Sequence, residues 1–358
     1  MRVAIIPTST WTGERAYGDY LIPGLRNKGI EVDLIDTRYF QTPHRKIWVG
    51  SLLLKKTLMH KGLVIVHNLD NLGPYLIKRS LEHVRPISTV HDIAPLILPY
   101  MSDWVIKADF GLILPRLLNN SSLIIVPSQS TKGDIISKFS IGENKIAIIE
   151  QGVDTSFFYP RHFNQQVLRK YHIPNQYLLY AGTDSARKNL VNLILGYSKI
   201  CDEISHDLVL VGMINRDYVE RVVTRVVHAA EAQQHISQRI HLVGYVERAD
   251  LPYIYSSASA LVLPSLYEGF GMPPLEAMAC GTIAVVSNNS SLREIVDGSA
   301  ILINDPLDPE EISARILQAL EKDDESDLKQ RGLSQAQKYT WENTVQKTIA
   351  AYDKVAQM

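Results

Sequence analysis

Cysteine is nearly absent: in 358 residues only Cys201 and Cys280 occur, without paired spacing, so neither a disulfide framework nor a cysteine-built metal site is indicated. A reducing cytoplasm is the compartment that fits. Long apolar runs are missing as well, since none approaches the ~18 residues a membrane-crossing helix needs. The opening run Arg2–Ile6 is too short for a signal peptide and gives way at once to a polar stretch, so it reads as a strand. No excess of either charge is present. Lys and Arg number 37 against 38 Asp and Glu, a net charge of −1, which leaves no electrostatic footprint for nucleic acid. The segment after the first strand, Trp11-Thr-Gly-Glu-Arg-Ala-Tyr17, also lacks the Gly-x-Gly-x-x-Gly pattern, which argues against a dinucleotide-binding dehydrogenase.

What is present is an alternation of short β-branched runs with helical-length segments. Leu63–His67, Ile87–Val90, Leu123–Val126, Tyr177–Tyr180, Asp207–Val211, Arg239–Val243, Ala260–Leu263, Thr282–Ser287 and Ala300–Ile303 all read as strands. That pattern predicts α/β layers on parallel sheets, and a 46% hydrophobic content suffices for two such domains. The boundary is placed at residues 165/166, giving domains 1–165 and 166–340 followed by an amphipathic segment 341–358. Pro23-Gly24 falls inside the first helix, where it is expected to kink or split it.

The most informative stretch runs from Pro264 to Gly281. It lies between two strand-length runs and reads as strand, glycine loop, helix, strand, with the loop at the carboxyl edge where α/β sheets bind ligands. Gly269 and Gly271 permit close backbone approach, Pro273-Pro274 starts a helix, and the free amides at that start favour an anion. Glu268 and Glu276 flank the anion position with seven residues between them. Carboxylates would repel a phosphate but accept hydrogen bonds from hydroxyls on either side of it, the layout of a sugar nucleotide. The plainer alternative makes Glu276 a complement to the helix dipole and Glu268 a solvated loop residue.

Arg187-Lys188 follows the Tyr177–Tyr180 strand where the next helix begins, so two cations meet a helix dipole and suggest a diphosphate, unless they are simply solvated. His91 follows another strand end and is either a structural hydrogen-bonding residue or a cleft residue. Ser128 is read as a helix cap. Residues 44–61 carry Arg45, Lys46, Lys55, Lys56 and Lys61 with no acidic residue, either a basic amphipathic helix on an anionic membrane or a surface helix packed on its own domain. Through residue 158 there are 18 basic and 14 acidic residues, and beyond it 19 and 24, so the first part is the more basic.

Pro264–Gly281, Ala181–Asn189, Gly244-Tyr-Val246, Thr89–Asp92 and Gln151–Asp154 together resemble the retaining glycosyltransferases of family 4. The resemblance implies a GT-B fold of two facing Rossmann-like domains, acceptor on the first and sugar nucleotide on the second, with the last helix crossing back to pack on the first. It implies that Glu268 contacts donor-sugar hydroxyls, Glu276 the ribose, and the amides of Phe270, Gly271 and Met272 the sugar and diphosphate. Arg187 and Lys188 then neutralise the leaving diphosphate, His91 approaches the sugar from the first domain, and Gly13 leaves space beside the phosphates. Many relatives place an arginine directly after the glycine that is Gly182 here; this chain has Thr183, so Arg187 must supply that charge.

Members are generally metal-independent, in keeping with the lack of any Asp-x-Asp triplet, and no resident cofactor is expected. They retain configuration along a front-side path in which the leaving phosphate helps deprotonate the acceptor. Glu247, after the Gly244 turn, lies where relatives hold the base, and a carboxylate there suits guanine. The expectation is a mannosyltransferase using GDP-mannose on a glycan or lipid-linked acceptor. A UDP-glucose-type transferase, a sugar-nucleotide epimerase and a non-catalytic nucleotide-sugar-binding subunit are the alternatives.

Overall fold

A computed structural model describes residues 1–7, 13–35, 65–71, 84–229, 234–321 and 325–358, with backbone alone at 13–15, 226–229, 234, 235 and 325. The basic segment 44–61 lies outside the described residues. Two units emerge: Met1–Gly152 with Thr340–Met358, and Val153–Tyr339. The chain thus leaves the first unit earlier than the 165/166 boundary read from the sequence. Val153 and Phe158 are already buried in the second unit's core, and the amide of Arg161 donates to Ser256 Oγ at 3.0 Å.

The first unit is a six-stranded parallel sheet of β1 (Arg2–Ile6), β2 (Glu31–Leu34), β3 (Ile65–Asn68), β4 (Arg85–Thr89), β5 (Leu123–Val126) and β6 (Ile146–Ile148). Its order is β2-β1-β3-β4-β5-β6. Strand residues alternate between its faces. Val3, Ile5, Leu123 and Ile125 join a core with the helices Gly13–Asn27 and Trp341–Ala356, while Ala4, Ile6, Ile124 and Val126 enter clusters on the opposite face. Ser128 caps its helix as expected, its side chain accepting from the amide of Thr131.

The second unit repeats the plan with β7 (Tyr177–Ala181), β8 (Asp207–Val211), β9 (Ile240–Gly244), β10 (Ala260–Leu263), β11 (Ile283–Ser287) and β12 (Ile301–Ile303), all parallel, in the order β12-β11-β10-β7-β8-β9. β7, β10 and β11 are buried at every residue, as central parallel strands covered on both faces must be. Among the described residues no helix is long and apolar enough to cross a membrane.

The helix Gly13–Asn27 continues through Pro23 rather than splitting there. Pro23 sits on the solvent side, so water can satisfy the carbonyl that loses its amide partner. Gly24 faces the closing helix Trp341–Ala356, where a Cβ would lie 2.5 Å from Val345 Cγ2. A dipeptide that reads as a defect in sequence is therefore a place where two helices pack closely. The closing helix is also held by buried polar bonds: His67 on β3 bonds Tyr352 Oη at 2.7 Å and Thr89 Oγ1 at 2.8 Å. Burial, then the neighbouring His91, holds the His67 imidazole down at about 3 and hence neutral.

Replacing an exposed helix glycine by alanine ordinarily stabilises by up to about 1 kcal/mol. Gly24→Ala is expected to do the reverse and cost about 1–3 kcal/mol through overpacking against stiff Val345. Val345→Ala in the same chain should recover part of the loss, read by urea denaturation.

Candidate functional site

In the second sheet the chain order reverses between β7 and β10, and crevices at such reversals, beyond the carboxyl strand ends, are where open α/β sheets hold ligands. The two loops singled out by sequence leave these two strands. After β7 the chain makes a short 3-10 turn, Ala186–Lys188, ended by Asn189 in the left-handed region at φ 58°. Asn189 Nδ2 donates to the carbonyl of Pro264 at 3.0 Å and to that of Pro306 at 2.5 Å, and the amide of Leu266 donates to the Arg187 carbonyl at 2.7 Å. The β7 and β10 loops are thereby bolted to each other.

Glu268 lies at their junction, 5% exposed. Lys188 Nζ, on a residue 8% exposed, donates to its Oε1 at 2.6 Å, and Arg187 Nη1 donates to its Oε2 at 2.9 Å. Ser265 Oγ adds a third bond, to Oε1 at 2.7 Å, and Arg187 also reaches the Tyr267 carbonyl at 3.1 Å. Two cations consecutive in sequence thus straddle one carboxylate. Burial alone pushes the Glu268 carboxyl up, but Lys188, then Arg187, outweigh it and hold the group at about 2 against an ordinary 4.5. Ionised throughout the neutral range, Glu268 is unsuited to general acid–base work.

Glu276 falls in the second turn of the helix Met272–Ala279. Tyr255 Oη donates to its Oε2 at 2.8 Å. Burial raises its carboxyl above 4.5, partly offset by the Tyr255 bond and by the charge of Arg248. Glu247, in the loop that follows β9, is exposed and pairs with Lys170 at 3.0 Å.

Gly271 precedes this helix at φ 119°, and a Cβ there would stand 2.8 Å from Leu292 Cδ2 and 3.0 Å from Ile295 Cδ1. Its glycine is required by backbone angle and by packing on the helix Ser290–Val296. The Phe270 ring is buried against Tyr339, edge-on at 5.8 Å, which leaves its backbone as the part that can serve a ligand. At the start of this helix only Gly271 and Met272 carry amides without an intrahelical partner, since Pro273 and Pro274 have no N–H.

The remaining expected residues belong to the first unit. Gly13 opens its helix. His91, 5% exposed, is fully engaged: Gln151 Nε2 donates to Nδ1 at 3.1 Å, which leaves Nε2–H to donate to the Leu69 carbonyl at 3.0 Å, and its amide donates to Asn71 Oδ1 at 2.7 Å. Tyr17 meets the ring edge-on at 5.2 Å. The histidine is thus held in one tautomer with no ring nitrogen left to act as a base.

Sequence reasoning missed Ser265, Tyr255 and the run Asn289-Ser290-Ser291, whose polar side chains all grip this site. Small hydroxyl and amide residues after a strand are too common to mark one; only the crowding of five in a row, Ser287–Ser291, hinted at it.

The family model described as glycosyl transferases group 1 matches residues 164–338, and that described as glycosyltransferase family 4 matches residues 13–157. The chain is 36% identical over 289 residues to O-antigen chain mannosyltransferase B of Escherichia coli, covering 78% of this chain and 73% of that protein. It is 28% identical over 283 residues to the serotype-specific mannosyltransferase WbdA of Escherichia coli, covering 76% of this chain but only 34% of that longer protein. Among solved structures, sucrose-phosphate synthase from Thermosynechococcus elongatus superposes with a TM-score of 0.78 over 99% of both chains at 19% identity, a likeness of fold.

A carboxyl held at about 2 when folded and near 4.5 when unfolded contributes stability that is complete above about pH 4.5 and lost as pH falls toward 2. The stability advantage of wild type over Glu268→Gln is therefore expected to shrink across that window, measured by denaturation midpoints at successive pH values.

Proposed function

Because the chain belongs to glycosyltransferase family 4, with a GT-B fold, we propose that it transfers mannose from GDP-mannose to a glycan or lipid-linked glycan in surface-polysaccharide assembly, retaining configuration. The observation that carries the proposal is the Lys188–Glu268–Arg187 cluster at the β7/β10 reversal. The mannosyltransferase relatives support the choice of sugar.

Two cations against one carboxylate leave the cluster with an excess positive charge, beside the helix start at Met272. That combination suits a diphosphate whose charge grows as the glycosidic bond breaks. Arg187 and Lys188 then supply the neutralisation that a divalent ion supplies in other transferases. A carboxylate offers about four acceptor positions. Lys188, Ser265 and Arg187 occupy three of those on Glu268, so its main work is to aim the cations, with one position for a sugar hydroxyl. Glu276, on the same helix, accepts from the ribose hydroxyls. The leaving phosphate takes the acceptor's proton, and no side chain is assigned as nucleophile.

In a thermal-shift screen of GDP, UDP and their sugars, GDP-mannose is expected to raise the melting temperature most, because a ligand of the folded state stabilises it. A larger shift with UDP-glucose would replace the donor assignment. Lys188→Ala is expected to lower transfer by about 100-fold or more, and wild-type turnover in that variant would remove the diphosphate assignment. Glu276→Ala should weaken donor binding by about tenfold, read by calorimetry.

A further inference from the structure

The run Asn289-Ser290-Ser291 spends its side chains on a single target, the loop that carries Glu268. Ser290 Oγ accepts the Glu268 amide at 3.0 Å, and the single proton of Ser291 Oγ is shared between the carbonyls of Phe270 at 2.5 Å and Glu268 at 2.9 Å. Both backbone polar groups of Glu268 are therefore held by consecutive serines. Asn289 Nδ2 donates to the carbonyls of Ser265 and Leu266 at 3.1 and 3.2 Å, while its Oδ1 receives the Ser290 hydroxyl at 3.1 Å. This last bond fixes the direction of the relay: the proton of Ser290 points at Asn289, so a lone pair faces the Glu268 amide.

Ser290 does this from a backbone that disfavours it. Its φ is 45°, in the left-handed region where glycine is at ease and a residue with a Cβ is not. A serine kept in that conformation has a use for its hydroxyl that glycine could not meet. We propose that Ser290 is a positioning residue for glycosyl transfer, fixing the Glu268 peptide so that its carboxylate aims Lys188 and Arg187 at the leaving diphosphate. The proposal rests on the donor reading above, but the clamp itself does not depend on which sugar nucleotide binds. Charge on the diphosphate is greatest as it departs, so a misaimed pair of cations costs turnover more than donor binding.

Two substitutions separate this role from a merely structural one. Ser290→Ala and Ser290→Gly both remove the hydroxyl, but alanine keeps the backbone strain and glycine relieves it. Ser290→Gly should melt at or above Ser290→Ala, yet both should lose kcat by about tenfold or more, with the KM for GDP-mannose within about threefold of wild type. Amide hydrogen exchange in the ligand-free protein should quicken at Glu268 in both variants and stay unchanged in β7 and β11. If activity follows melting temperature, so that Ser290→Gly turns over like wild type, or if the Glu268 amide exchanges no faster in either variant, the proposal is overturned. Failure of the wild type to consume GDP-mannose would count against the donor reading alone, and the exchange comparison would still decide the clamp.

Discussion

The arrangement of the second unit turns on one carboxylate held between two cations. Removing Glu268 and Lys188 from water, with Arg187 only partly covered, is costly, and the cost is met only when the partners are close and the remaining hydrogen-bonding positions are filled. That demand explains features that otherwise look unrelated. The left-handed Asn189 turns the cation loop toward β10, Ser265 fills an acceptor position, and the Asn289–Ser291 run fixes the peptide that bears the carboxylate. Topology makes this economical, because the chain reversal brings two loops from well-separated parts of the sequence to neighbouring strand ends.

The same geometry changes the chemical standing of the first glutamate. In sequence it reads as an acceptor for sugar hydroxyls, because it and Glu276 flank an anion position in the layout of a sugar nucleotide. In the folded chain most of its accepting capacity is spent on the protein itself. Glu276 keeps more of its own, with one bond from Tyr255 and a carboxyl that burial has made easier to protonate. Two carboxylates of one motif are thus placed in opposite electrostatic surroundings, the first locked as an anion by cations and the second desolvated beside a phenol.

Much of the fold is legible in the sequence because buried parallel strands are short, β-branched and nearly all apolar; β5, β8 and β10 begin and end where those runs do. The glycine loop and the Arg187-Lys188 pair are legible as loops that follow strands, and the structure sets them side by side at the β7/β10 reversal. What is not legible is partnership. Nothing in the order of residues says that Ser290 reaches Glu268, that His91 spends both ring nitrogens internally, or that Gly24 exists for the sake of Val345. The Pro23-Gly24 pair misleads because its cause lies in a helix more than 300 residues away in the chain. The unit boundary misleads for a similar reason: the sequence reading puts residues 153–165 in the first domain, but Val153, Phe157 and Phe158 pack in the second core.

That distant helix bears on how the chain is made. Val345, Tyr352 and Val355 are buried members of the core built on β1, β3 and β5, so this core is filled from both sides of the second unit in sequence. The second unit, by contrast, is one uninterrupted stretch, Val153–Tyr339. Domains that emerge first from a ribosome usually fold first. Here vectorial synthesis inverts the order of completion: the part translated earliest must wait, with an unfilled groove along its sheet, until its last helix arrives.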